Sequence, residues 1–149
     1  GLGVLSLHNV GTGAKFMGFD DAYMRLLRNE TTAEGWSTMT DGERLTSQVN
    51  TGNLTWTGTH ANSKTAAFSA GVNAGRMRMY APNPVQPGSS VSHFDTALTP
   101  DELMEPNLTP NAEDYITYFL LRDVGWPMLR LFHDGFTAGD DDFWSSAVP

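Results

Sequence analysis

For metal or acid–base chemistry the chain offers 4 histidines, 17 aspartates and glutamates, and no cysteine. Without thiolates, imidazole and carboxylate are the ligands at hand. His8, His60, His93 and His133 stand far apart and no His-x-x-x-His occurs, so no helix of this sequence presents two imidazoles on one face. The richest stretch runs from Gly88 to Pro106, where His93 is followed, after an irregular segment, by Glu102-Leu103-Met104. On residue type alone, His93 reads as a surface or hydrogen-bonded histidine and Met104 as core. Asp95, Glu102 and Glu105 read first as solvated loop carboxylates; orienting a ligand imidazole is their alternative role. His8, His60 and His133 show no ligand spacing and are taken as ordinary. Asp140-Asp141-Asp142 lacks the ordered glycine and distal glutamate of a calcium loop. It reads as a solvated acidic run, and calcium is unsupported.

Caps and periodicity give the elements that must position these residues. Asp20-Asp21 ahead of Ala22-Tyr23-Met24-Arg25-Leu26-Leu27-Arg28 suits the dipole of a short helix over 20–29, with Tyr23, Leu26 and Leu27 inward. Thr40-Asp41-Gly42-Glu43 fits a capping box and predicts a helix over 41–50. Alternation in Leu54-Thr55-Trp56-Thr57 and in Arg76-Met77-Arg78-Met79-Tyr80 predicts half-buried strands, with Ala66 to Ala70 as a third. Pro82, Pro84, Pro87 and Gly88 force an extended loop before His93. A helix over 110–124 follows from a Thr109 cap, Pro110 in its first turn, Glu113 and Asp114 near its positive end, and Gly125 just past it. Leu26, Leu45, Ile116, Phe119, Leu120 and Trp126 are expected to be mostly buried. The expected fold is α+β and loop-rich, with three main helices and a few short strands in 53–81. Residues 128–149 are expected to form a loosely attached tail.

Bulk composition narrows the function classes. A chain of 149 residues suffices for one domain with a real core. The net charge of −8, with only 9 lysines and arginines, argues against nucleic acid and anionic membrane surfaces as partners. No apolar run approaches the roughly 20 residues of a membrane span. The opening Gly1-Leu2-Gly3-Val4-Leu5 has no basic leader and no initiator methionine, which reads as a piece of a longer protein.

Several motifs, in order, resemble the leishmanolysin-type, metzincin-like zinc metallopeptidases, in particular secreted bacterial ones, some of which carry a protease-associated domain. The segment Ser92-His93-Phe94 is similar to the family's Ser-His-Trp, with Phe94 in place of the usual tryptophan. Glu102-Leu103-Met104 is similar to its Met-turn. Gly1-Leu2-Gly3-Val4-Leu5 is similar to the continuation of its His-Glu-x-x-His helix. Thr12-Gly13-Ala14, Asp21-Ala22-Tyr23, Trp36 with Met39-Thr40, Trp56-Thr57-Gly58, Tyr80-Ala81-Pro82 and Asp123-Val124-Gly125-Trp126 extend the likeness over residues 1–127.

The resemblance implies that residues 1–127 are the carboxy-terminal part of a zincin catalytic domain, beginning just after the His-Glu-x-x-His motif. It implies His93 as third zinc ligand, Met104 as the Met-turn methionine and Gly3 as the helix-breaking glycine. The general-base glutamate belongs upstream of Gly1, so this chain alone contains no catalytic residue and is expected to be inactive. Catalytic zinc takes three protein ligands and keeps an open position for water. The implied activity is endopeptidase cleavage of a protein or peptide substrate, outside the cytoplasm, with Zn2+ and the preceding part of the same polypeptide as partners. The alternative is a non-catalytic extracellular binding module displaying aromatics such as Trp36, Trp56 and Trp144.

Overall fold

The capping box forms. Glu43 N donates to Thr40 Oγ1 at 3.4 Å, and Thr40 N donates to Glu43 Oε2 at 2.7 Å. They open α1 (Asp41–Ser47), which is shorter than the predicted 41–50. Its buried face is polar. Leu45 is 36% exposed, against expectation, while Arg44 is 2% exposed. A buried guanidinium is tolerable only with its donors satisfied. Arg44 Nε donates to Gly13 O at 2.7 Å, Nη1 to Trp36 O at 3.1 Å and to Met39 O, and Nη2 pairs with Asp41. One side chain thus fastens residues 13, 36 and 39 to α1. The computed structural model describes residues 3–107, 109, 110, 112 and 115–127.

The helix expected over 20–29 does not form. Asp21 Oδ1 accepts from Met24 N at 2.6 Å and supports a single 3₁₀ turn, Met24–Leu26. The chain then enters β1 (Leu27–Asn29), which pairs antiparallel with β2 (Glu34–Gly35) and β3 (Leu54–Trp56) in the order β2-β1-β3. Two strand neighbours satisfy the backbone of 27–29 and outweigh a weak local helical preference. Tyr23 and Leu27 are buried as expected; Leu26 is half-buried.

After β3 come α2 (Thr59–Asn62), a 3₁₀ turn at Thr65–Ala67 where a third strand was expected, and the hairpin β4 (Val72–Asn73) and β5 (Arg76–Met77). The alternation over 76–80 holds, with Met77 and Met79 fully buried and their neighbours half-buried. β3 does not alternate: all three of its residues are buried. The chain continues past β5, Arg78 bridging Thr55 and Met79 bridging Phe94.

The last described helix, α3 (Tyr115–Asp123), starts later than 110; Thr109, Pro110 and Ala112 precede it in non-helical backbone. Glu113 and Asp114 lie outside the described residues, as does the 128–149 segment with His133, Asp140-Asp141-Asp142 and Trp144. Ile116 and Leu120 are buried, Phe119 is half-buried, and Trp126 is 44% exposed rather than buried. The core joins Tyr23, Trp36, Leu54, Trp56, Phe94 and Leu98 to α3. The described residues form a mixed α/β fold with three α-helices and short antiparallel strands, only one helix lying close to a predicted span at both ends. No helix among the described residues is long and apolar enough to cross a membrane.

Candidate functional site

Backbone bonds to the extension of β5 hold the His93 segment. Val91 N donates to Tyr80 O at 2.7 Å, Tyr80 N to His93 O at 2.8 Å, and Asp95 N to Arg78 O at 3.0 Å. Phe94 is fully buried, and its N–H donates to Met104 O at 2.9 Å. The His93 segment therefore lies between residues 78–80 and the Glu102–Met104 turn. Tyr23 OH adds a bond to Val91 O at 3.2 Å, and burial keeps that phenol protonated, far above its ordinary range. His93 itself is half-buried. Its Nδ1 lies 3.0 Å from Ser89 O. A carbonyl only accepts, so Nδ1 carries the proton and Nε2 keeps a lone pair.

Met104 is partly buried against the core. It lines a cavity of about 560 Å³ together with Gly3, Val4, Asp21, Tyr23 and Thr117. His93 is not part of that lining. Gly3 has φ +73°, the left-handed conformation that commonly ends a helix and that glycine adopts without steric cost.

The three carboxylates near His93 are not solvated. Asp95 is 4% exposed and pairs with Arg78 Nη2 at 2.7 Å. Glu102, 1% exposed, accepts from Ile116 N at 3.0 Å, and Glu105 Oε1 accepts from Glu102 N at 2.8 Å. These bonds go to backbone and arginine, not to the His93 ring. They fix the turn that carries Met104 and tie it to α3. Burial pushes the Glu105 carboxyl up, the Glu102 amide opposes this, and the negative charges of Asp101 and Asp95 add to it.

His60 and His8 are hydrogen-bonded into networks. His60 Nδ1 bonds Asp123 Oδ1 at 2.9 Å. Asp123, whose side chain is 2% exposed, also accepts from His60 N at 2.9 Å, Ala61 N at 3.0 Å and Trp56 Nε1 at 3.0 Å. Asp123 thus caps α2 from the end of α3. The sequence held one hint, Asp123 within the motif Asp-Val-Gly-Trp. His8 bonds Ser6 and Gln48 and sets its ring edge-on to Trp36, 4.9 Å between centroids. Trp36 and Trp56 are fully buried, and their indole N–H groups donate to Ser47 and Asp123. They display no aromatic surface; Trp144 lies outside the described residues.

Among the described residues no group of three His, Cys, Asp or Glu could hold a metal ion. The His93 ring has a tautomer and orientation that a metal ligand would share. A metal-bound histidine typically donates its other ring N–H to a carbonyl or carboxylate, which orients the ring, and Ser89 O does this for His93. No family model matches the chain, and no curated protein or solved structure matches it.

Proposed function

We propose that this chain is the carboxy-terminal part of a zinc-dependent endopeptidase catalytic domain. His93 serves as the third zinc ligand and Met104 as the Met-turn residue, while the first two ligands and the general base come from the segment preceding Gly1. The observation that carries the reading is the Phe94 N–Met104 O bond, 2.9 Å. It joins the segment bearing the ligand to the turn bearing the methionine, two motifs that sequence alone leaves ten residues apart (104 − 94 = 10). The Ser89-oriented ring of His93 and the left-handed Gly3 support it.

On this reading His93 binds through Nε2, and Ser89 O fixes the tautomer. Met104 and Val4 supply apolar surface to one cavity wall and pack against the core. Zinc in such a site polarises the scissile carbonyl and activates water for attack. The binding-module alternative loses Trp36 and Trp56, whose rings are in the core.

The test uses the polypeptide extended upstream through the expected His-Glu-x-x-His. We expect chelator-sensitive peptide cleavage that His93→Ala abolishes, with the far-ultraviolet spectrum unchanged. Cleavage that survives His93→Ala, or upstream codons that encode no such motif, would overturn the proposal.

A further inference from the structure

Near the start of the chain one hydroxyl proton faces two acceptors. Ser6 Oγ lies 3.2 Å from His8 Nδ1 and 3.4 Å from Asp21 Oδ2. Ser6 is only 6% exposed, so water has little access to substitute for either partner. The far side of the imidazole sets the tautomer. Gln48 Nε2 donates to Val10 O at 2.8 Å, which turns Gln48 Oε1 toward His8 Nε2 at 3.0 Å. An amide oxygen only accepts, so Nε2 carries the hydrogen of the neutral ring and Nδ1 is left as acceptor. The Ser6 hydroxyl then donates to His8, and Asp21 Oδ2 keeps the Leu7 N–H at 2.7 Å.

Protonation of His8 reverses this. Nδ1 becomes a donor toward Ser6 Oγ, and the hydroxyl must turn to another acceptor. Asp21 Oδ2 is within reach, and it gains a second bond. The only covalent change is the N–H bond formed at His8 Nδ1 by one proton from solvent; the Ser6 O–H bond rotates and stays intact. We propose that His8, Ser6 and Asp21 form a hydroxyl relay that transmits the charge state of His8 to the wall of the cavity that holds Met104. Asp21 is in that wall, and its other oxygen anchors Met24 N at 2.6 Å.

The charged groups facing His8 are Asp21, which favours the imidazolium, and Arg44, which opposes it; Ser6, Gln48 and Trp36 complete its surroundings. Burial dominates and holds His8 below the ordinary histidine value. The relay is therefore in its neutral arrangement at neutral pH and turns over as pH falls below the ordinary histidine range.

The test is a pH titration of the 149-residue chain by proton–nitrogen NMR. The amide of Met24, which touches Asp21 and not His8, should shift with the same midpoint as the His8 ring. In Ser6→Ala the ring should still titrate while the Met24 amide loses that step, and Ser6→Thr should retain it. Ser6→Gly repeats the deletion should Ser6→Ala fold poorly. A Met24 amide that ignores His8 in the natural chain overturns the relay, as does one that still follows His8 without the hydroxyl, which would mean a through-space field.

Discussion

Burial acts on Glu105 against its charge. Its folded-state pKa lies above the unfolded one, so the native state holds the proton more tightly. The stability this gives is full below the unfolded pKa and is lost as pH rises through the folded one. At neutral pH the ionised group therefore weakens the fold. Glu105→Gln keeps an acceptor for the Glu102 amide and removes the charge. We expect its melting temperature to rise by about 1–3 °C at neutral pH and to change little in acid. A loss at neutral pH would contradict the burial argument. At this scale the sequence was partly legible. The segment around His93 and the Glu-Leu-Met turn stood out by residue type and order. The burial of Asp95, Glu102 and Glu105 did not, because their partners are Arg78, Ile116 N and Glu102 N, and no local spacing encodes a bond to an amide 14 positions away.

Between elements, the Asp123 carboxylate gathers four hydrogen bonds at the start of α2. Asp123→Ala would leave the Trp56 indole N–H and the His60 and Ala61 amides without their acceptor. Each buried orphan costs about 1–3 kcal/mol, so the total should reach about 3 kcal/mol or more in denaturant unfolding, with altered Trp56 fluorescence. Asp123→Asn, which keeps one carbonyl, should lose less. Gly58→Ala should destabilise for a related reason, since an added Cβ would overlap both the Asp123 carboxylate and the Trp56 indole nitrogen. If Asp123→Ala unfolds like the natural chain, the cap is ornamental. Helix α1 was readable because its capping box is local. The 20–29 segment was misread because Asp21 reaches back to Leu7 N at 2.7 Å as well as forward to Met24, and because β1 takes its conformation from β2 and β3. Leu45 misled in another way: the face of α1 that packs is set by Arg44 and Ser47, not by the apolar residue.

Over the whole molecule, ligand arithmetic sets the expected response to zinc. A catalytic site uses three protein ligands, and the described residues gather no such group. A ligand at 100 times its dissociation constant stabilises the state it binds by about 2.7 kcal/mol. That would move the melting temperature of a chain this size by roughly 5–10 °C. We expect almost no shift for these 149 residues at micromolar zinc, and, on the proposed function, a clear one in a polypeptide extended through a His-Glu-x-x-His helix. A large shift without that helix would mean that other side chains complete a site. The hydrogen bonds at Tyr80 bear on the spacing of such a site. Tyr80 bonds both Val91 and His93, so the ends of the proline-rich 81–90 loop are already clamped together. Lengthening a clamped loop costs only chain-closure entropy, about 0.6 kcal/mol per doubling of its length. The position of His93 is thus insulated from the contour length of the 81–90 loop, and residues could be gained or lost there while the geometry at Tyr80 and His93 stays put.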